Sequence, residues 1–193
     1  MQPEFEILVV CTANICRSPL AERLLQAGFD DVAPGQFAVS SAGTQGRDGW
    51  DADPCIAELA VEHGVHLEGF TSRQVEPGMI QDADLVLAMT REHRRRIVEI
   101  VPAAVRRTFT LREFARLLPS VPPEAGASPA QRLHSLAALA QRHRRAAPGD
   151  QMDEDIIDPY QGPEAVYRQM LEQLLPAVQA IFDWERRSSG KET

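Results

Sequence analysis

The run from Ile7 to Glu22 constrains the fold of this chain more than any other stretch. Ile7-Leu8-Val9-Val10 is short, apolar and β-branched, the composition of a central strand buried in a sheet. Ser18-Pro19-Leu20-Ala21-Glu22 reads as a helix start, with Ser18 as cap, Pro19 in the first turn and Glu22 near the positive end. Between the two lies only the loop from Cys11 to Arg17. A strand, a tight loop and a helix in immediate succession form a cradle for an anion, because loop amides and a helix N-terminus converge there.

The rest of the chain continues the alternation. Phe37 to Ser41 is a second strand candidate, followed by a loop from Gly43 to about Asp53 and a helix from Pro54 to Glu62. Asp84 to Met89 is another buried strand, Thr90 caps a helix over Arg91 to Ile100, Phe109 marks a short fourth strand or extended segment, and Leu111 to Leu118 is helical. Strands alternating with helices predict an α/β fold in three layers, a parallel sheet covered on both faces. Ligands of such sheets bind beyond the carboxyl ends of the strands, where Cys11 falls.

At 193 residues the chain can bury one substantial core and is too short to make two large domains. Pro119 to Ala130 is rich in proline and reads as a surface loop, and Arg132 to Arg145, with leucines at 133, 136 and 139, reads as an amphipathic helix. That helix is scaffold, or its basic side is a lid or docking face. Pro148-Gly149-Asp150 opens a second loop, and Gly162-Pro163-Glu164 announces a last helix to about Glu185.

A formal net charge of -8 argues against general nucleic-acid binding. The first residues carry no basic segment and no apolar stretch of about 18 residues follows, so the expectation is a cytoplasmic protein without stable membrane insertion. Cysteines at 11, 16 and 55 do not form a disulfide scaffold, and Cys11 and Cys16, with four residues between them, lack the nearby histidine pair that a metal knuckle would need. Beside a tight turn, Cys11 is first a candidate thiolate.

The chemistry concentrates in Cys11-Thr12-Ala13-Asn14-Ile15-Cys16-Arg17-Ser18, a C-x5-R-S arrangement. Peptide N–H groups from Thr12 to Arg17 can surround a tetrahedral dianion, and Arg17 adds two parallel charge-assisted hydrogen bonds that a lysine would not reproduce. The same field favours a Cys11 thiolate, with Ser18 placed to donate to the sulfur and Asn14 tolerant of unusual backbone angles. Cys55 reads as packing, as do His66, His93 and Tyr167. Trp50 and Tyr160 are candidates for aromatic walls, although Trp50 fits a core-covering role almost as well.

The run VCTANICRSP resembles the nucleophile loop of the low-molecular-weight protein tyrosine phosphatases, and Asp158-Pro159-Tyr160 resembles their general-acid motif. The similarity extends through Ser41-Ala42-Gly43-Thr44, the helix after Pro54, His66 to Arg73, and Met89 to Phe114. It implies a four-stranded parallel sheet within one domain over residues 1–187, with a loop-helix insertion at 119–151 and a tail at 188–193. It further implies hydrolysis of phosphotyrosine through a phosphocysteine intermediate. Cys11 is then the nucleophile, Arg17 the phosphate clamp and Asp158 the general acid and later base, with no metal or organic cofactor. The implied partner is a tyrosine-phosphorylated protein or an aryl phosphate. A reversible Cys11–Cys16 disulfide is implied too, against a plain lining role for Cys16. Ala13 departs from the pattern, standing where glycine is common, so its backbone must accept a Cβ. Thiol-dependent arsenate reduction on the same fold is the enzymatic alternative, weakened by the lack of any cysteine after Cys55. A noncatalytic phosphate-binding module is the other, and it predicts Asp158 far from Cys11.

Overall fold

The computed structural model describes residues 3–121, 128–144 and 154–188. Strands β1 (Phe5–Cys11), β2 (Phe37–Gly43), β3 (Leu85–Ala88) and β4 (Thr108–Thr110) form one parallel sheet in the order β2-β1-β3-β4. Alternation along β1 sets the layers. Ile7, Val9 and Cys11 face the larger core, whereas Leu8 and Val10 face a smaller one with Ile80 and Ile97. Each such aliphatic side chain contributes roughly 1.5–3 kcal/mol by leaving water. The three-layer α/β domain with a four-stranded parallel sheet is therefore as expected.

The helices are α1 (Arg17–Val32), α2 (Pro54–Glu62), α3 (Pro77–Asp82), α4 (Arg91–Ile100), α5 (Leu111–Leu117), α6 (Pro129–Arg144) and α7 (Glu164–Ser188). Local signals account for several boundaries. Thr90 Oγ1 accepts from the His93 N–H to cap α4, and Thr110 with Glu113 makes a reciprocal capping box on α5. Phe29 of α1 stacks on Phe37 at 4.2 Å between centroids, and Phe182 of α7 meets it edge-on at 5.3 Å. That ring explains Gly28 inside α1, since a Cβ there would stand 2.2 Å from the Phe182 ring.

The structure corrects several local expectations. Ser18 does not cap α1: Cys16 holds that position without a side-chain cap bond, and Ser18 is turned inward to the sulfur of Cys11. Helix α3 was not expected, being only six residues long. Pro119 lies in a 3-10 turn over Leu118–Ser120, and α6 begins at Pro129 rather than Arg132. Pro122, Pro123, Gly126 and the loop at Pro148-Gly149-Asp150 lie outside the described residues, as does the tail beyond Ser188.

Helix α6 buries Leu133 and Leu136, and its basic side is not uniformly solvated. Arg132 is buried in an ion pair with Glu185 of α7, its Nε donating to Oε2 at 3.2 Å while Nη2 bonds Oε1. Removing one partner of a buried pair leaves the other charge stranded, typically at a cost of about 3–5 kcal/mol. Arg132→Ala should lower the unfolding free energy by about that amount, and Arg132→Met with Glu185→Leu should recover most of it. Urea denaturation measures both; a loss under about 1 kcal/mol in the single variant would show that the pair does not hold α6 to α7.

Candidate active site

The loop after β1 is organised by where its carbonyls go. Cys11 O accepts from Thr44 N–H (2.9 Å), Thr12 O from Gln45 N–H (2.8 Å), Ala13 O from Arg47 N–H (3.3 Å) and Ile15 O from Asp53 N–H (2.9 Å). These donors all belong to the segment after β2, so the loop carbonyls face away from the cleft. No backbone N–H from Thr12 to Cys16 donates to another group among the described residues. The loop thus keeps a ring of N–H donors for an anion, at the positive end of α1.

Asn14 braces this shape. It is fully buried with φ at 58°, a left-handed conformation that asparagine tolerates. Its Nδ2 donates to Ser18 Oγ (2.9 Å) and Ser41 Oγ (2.8 Å), and its Oδ1 accepts from Arg73 N–H (2.9 Å). Ser18 Oγ accepts from Asn14 and lies 3.0 Å from Cys11 Sγ, where its proton can be given to the sulfur when Cys11 is a thiolate. Ala13 has no positive φ, so its Cβ is accommodated. Gly43, packed against the same loop, has no such room: a Cβ there would collide with the Thr12 carbonyl oxygen.

Arg17 is buried and held at three points. Nη1 donates to Ile156 O (3.1 Å), and Nη2 donates to Asp158 Oδ2 (2.7 Å) and Thr12 Oγ1 (3.3 Å). Its Nε is buried with no partner among the described residues. A buried guanidinium N–H without an acceptor costs stability unless a ligand supplies one. The segment carrying Asp158 is pinned in turn: Ile156 N–H donates to Met89 O, Arg112 to Asp155 O, and Arg91 to the Asp155 carboxylate. Asp158 itself is half exposed, its Oδ1 accepting from Tyr160 N–H at 3.3 Å.

Cys11, Thr12, Ala13, Ile15, Cys16, Arg17, Asp158 and Tyr160 share one cleft of about 130 Å³. Asn14 and Ser18 stand behind it as supports. Trp50 does not line it. Instead Arg47 does, with its guanidinium 4.6 Å from the centroid of the half-exposed Trp50 ring. Gln45 joins Arg47 in the lining; neither carried a signal in the sequence beyond the nearby Gly43 and Gly46. A larger hollow of about 550 Å³ beside Arg106, Gln141 and Arg142 has no nucleophile among its described lining residues.

Cys11 and Cys16 are both free thiols. Burial, and secondarily Asp53, pushes the Cys16 thiol up, so Cys16 stays protonated at neutral pH. Burial followed by the charge of Arg17 pushes His93 down to about 4.

A family model, low molecular weight phosphotyrosine protein phosphatase, matches residues 6–119. The chain belongs to this family. Among its relatives are the low molecular weight protein-tyrosine-phosphatases Etp and Wzb of Escherichia coli, 45% and 43% identical over 96 residues. Each match covers 50% of this chain and 62% of the relative, so the chain spans less than two thirds of the length of the curated phosphatases it matches. Solved structures align more fully. An arginine phosphatase, YwlE of Geobacillus stearothermophilus, is 28% identical with a TM-score of 0.69 over 98% of this chain and 97% of that one. The Erwinia amylovora tyrosine phosphatase AmsI is 26% identical with a TM-score of 0.67 over 92% and 91%. Asp158 lies beyond the matched stretch of the family model, and the fold alone brings it to the family's loop.

Proposed function

We propose that this low-molecular-weight phosphatase family member hydrolyses phosphotyrosine through a phosphocysteine intermediate. The observation that carries the reading is the convergence of unspent donors, the N–H ring of residues 12–16 and the Arg17 Nε, on the cleft that Cys11 lines. A phosphoryl dianion satisfies these donors, and oxygens that gain charge at phosphorus meet them preorganised.

In the proposed cycle the phosphoryl group takes over the guanidinium edge of Arg17 and releases Asp158 toward the leaving oxygen. The Cys11 thiolate attacks phosphorus, the S–P bond forms as the P–O bond to the phenol breaks, and Asp158, which takes up a proton from solvent once the phosphoryl group has displaced it from Arg17, passes that proton to the departing oxygen. Water then attacks phosphorus, Asp158 takes its proton, and inorganic phosphate leaves as the thiolate reforms. Tyr160 and Arg47 flank the opening where the tyrosyl ring would lie. Release of inorganic phosphate from a phosphotyrosine peptide, with a phosphorylated Cys11 trapped by rapid acid quench, tests the cycle.

Likeness to an arginine phosphatase supports a second substrate, phosphoarginine. Ile15 favours the first reading. It is buried and lines the cleft, and its branched hydrocarbon suits an aryl ring better than a polar guanidinium. The expected kcat/KM is higher for phosphotyrosine than for phosphoarginine, phosphoserine or phosphothreonine in matched peptides. Ile15→Thr should narrow the gap to phosphoarginine. A wild-type preference for phosphoarginine would reverse the substrate assignment while leaving the cysteine chemistry intact.

A further inference from the structure

His93 is a buried imidazole with no part in the proposed cycle, yet it abuts the phosphate loop. Its Nδ1 is 2.9 Å from Thr90 Oγ1, and its Nε2 is 2.8 Å from Thr12 Oγ1. Thr12 Oγ1 also accepts from Arg17 Nη2, and Thr12 lines the cleft. Burial and Arg17 hold the ring neutral at neutral pH despite the opposing influence of Asp158, Asp155 and Glu92. The ring therefore carries one proton, and the nitrogen that holds it decides what Thr12 can do.

A hydroxyl has one proton and two acceptor sites. With the ring proton on Nδ1, Nε2 is an acceptor and the Thr12 proton is consumed by His93. With the ring proton on Nε2, Thr12 Oγ1 accepts from both His93 and Arg17, which fills its acceptor sites and frees its proton. Thr90 suits either tautomer, since its hydroxyl can accept from Nδ1 or donate to it. A dianion on the loop breaks the tie, because it adds an acceptor on the cleft side alone.

We propose that His93 is a positioning residue that, as the Nε2–H tautomer, turns the Thr12 hydroxyl proton into the cleft, making Thr12 a side-chain donor to the bound phosphoryl group. The inference rests on the phosphate-site reading above. It adds a hydroxyl donor to the loop amides and Arg17, and assigns its direction to a residue on α4.

Nitrogen-15 NMR of the histidine rings during titration of the wild-type protein with inorganic phosphate tests the proposal. The phosphate-saturated protein should show His93 protonated on Nε2, and a ring protonated on Nδ1 overturns the proposal. Phosphate Kd gives a second readout: Thr12→Val and His93→Leu should each weaken binding about tenfold or more, the scale of one hydrogen bond to an anion. The double variant should lose little beyond the worse single one, because both remove the same donor. Thr12→Ser should stay within about threefold of wild type, and so should His93→Gln, whose amide can supply an N–H. An unchanged Kd in Thr12→Val, or fully additive losses, also overturns it. If His93→Leu does not fold, the tautomer measurement and Thr12→Val still decide. Wild-type protein that binds no phosphate at the loop would sink the phosphate-site reading and this inference together, whereas binding with Nδ1 protonated would sink this inference alone.

Discussion

Cys11→Ser is expected to lose at least about 10⁴-fold in phosphotyrosine turnover while still binding inorganic phosphate. Removing a covalent nucleophile costs most of an enzyme's chemical acceleration, whereas the residual rate comes from binding and oxyanion stabilisation. Here the two functions reside in separable groups. The loop carbonyls, the Asn14 brace and the Arg17 contacts do not involve the Cys11 sulfur, so the anion receptacle should survive the exchange of sulfur for oxygen. Among the described residues the Ser18 hydroxyl hydrogen-bonds that sulfur, at 3.0 Å, and it can pair with a serine oxygen as well. Phosphate binding by calorimetry and steady-state turnover, measured on the same folded sample, make the comparison. Turnover and burst kinetics at the wild-type level would exclude covalent catalysis through Cys11. Loss of phosphate binding together with turnover would instead mean that the sulfur itself shapes the receptacle.

The second large effect is expected from Asp158→Asn, with a dependence on leaving group that no folding defect would mimic. General acid catalysis contributes roughly 10²- to 10⁴-fold, and it matters most when the departing oxygen is a strong base. Phosphotyrosine cleavage should therefore fall by about that range. An aryl phosphate of a strongly acidic phenol should lose much less, because its oxygen leaves without a donated proton. The Arg17–Asp158 pair, with Asp158 half exposed, is not expected to carry much stability, since solvent screens such pairs. Asparagine can still accept from Arg17, which should keep phosphate docking. Pre-steady-state phosphorylation across a leaving-group series, with hydrolysis resolved as a later step, separates the two roles of Asp158. Equal sensitivity to leaving-group basicity in wild type and Asp158→Asn would remove Asp158 as the general acid and leave the cysteine mechanism standing.

The pairing of Asp158 with Arg17 also bears on the competing readings. A binding module without catalysis predicted a remote Asp158, and the carboxylate instead stands 2.7 Å from the phosphate-loop arginine. In the proposed cycle that ion pair opens as substrate binds, so the resting cleft holds the Asp158 carboxylate against its clamp and the acid forms only on its release. Occupation by a phosphoryl group converts the arrangement from a closed pair into an acid facing a leaving group.

Short-range pattern in the chain accounts for part of this architecture. The buried run of β1, the anion loop and the start of α1 within a few residues follow from hydrophobic periodicity and the small set of conformations that join strand to helix. Three of the four strands and most helix boundaries follow in the same way, whereas the pattern around Phe109 left the three-residue β4 open between a strand and an extended segment. The left-handed backbone at Asn14 agrees with a tolerance written in the residue type. Tertiary structure alone decided the rest, because it depends on groups far apart in the chain. Asp158 reaches Arg17 through pins from Met89, Arg91 and Arg112, none of which leaves a periodic trace. Arg47 displaced Trp50 from the cleft because the loop after β2 is bound to Ala13 and Ser72, which directs Arg47 into the opening with Trp50 beside it. Arg132 left the solvated side of α6 once Glu185 supplied a buried countercharge, and His93 became part of the loop's environment once α4 packed beside it. Periodicity reports which face of an element avoids water; which polar groups then meet is settled by the packing of those faces, where each buried donor must find an acceptor.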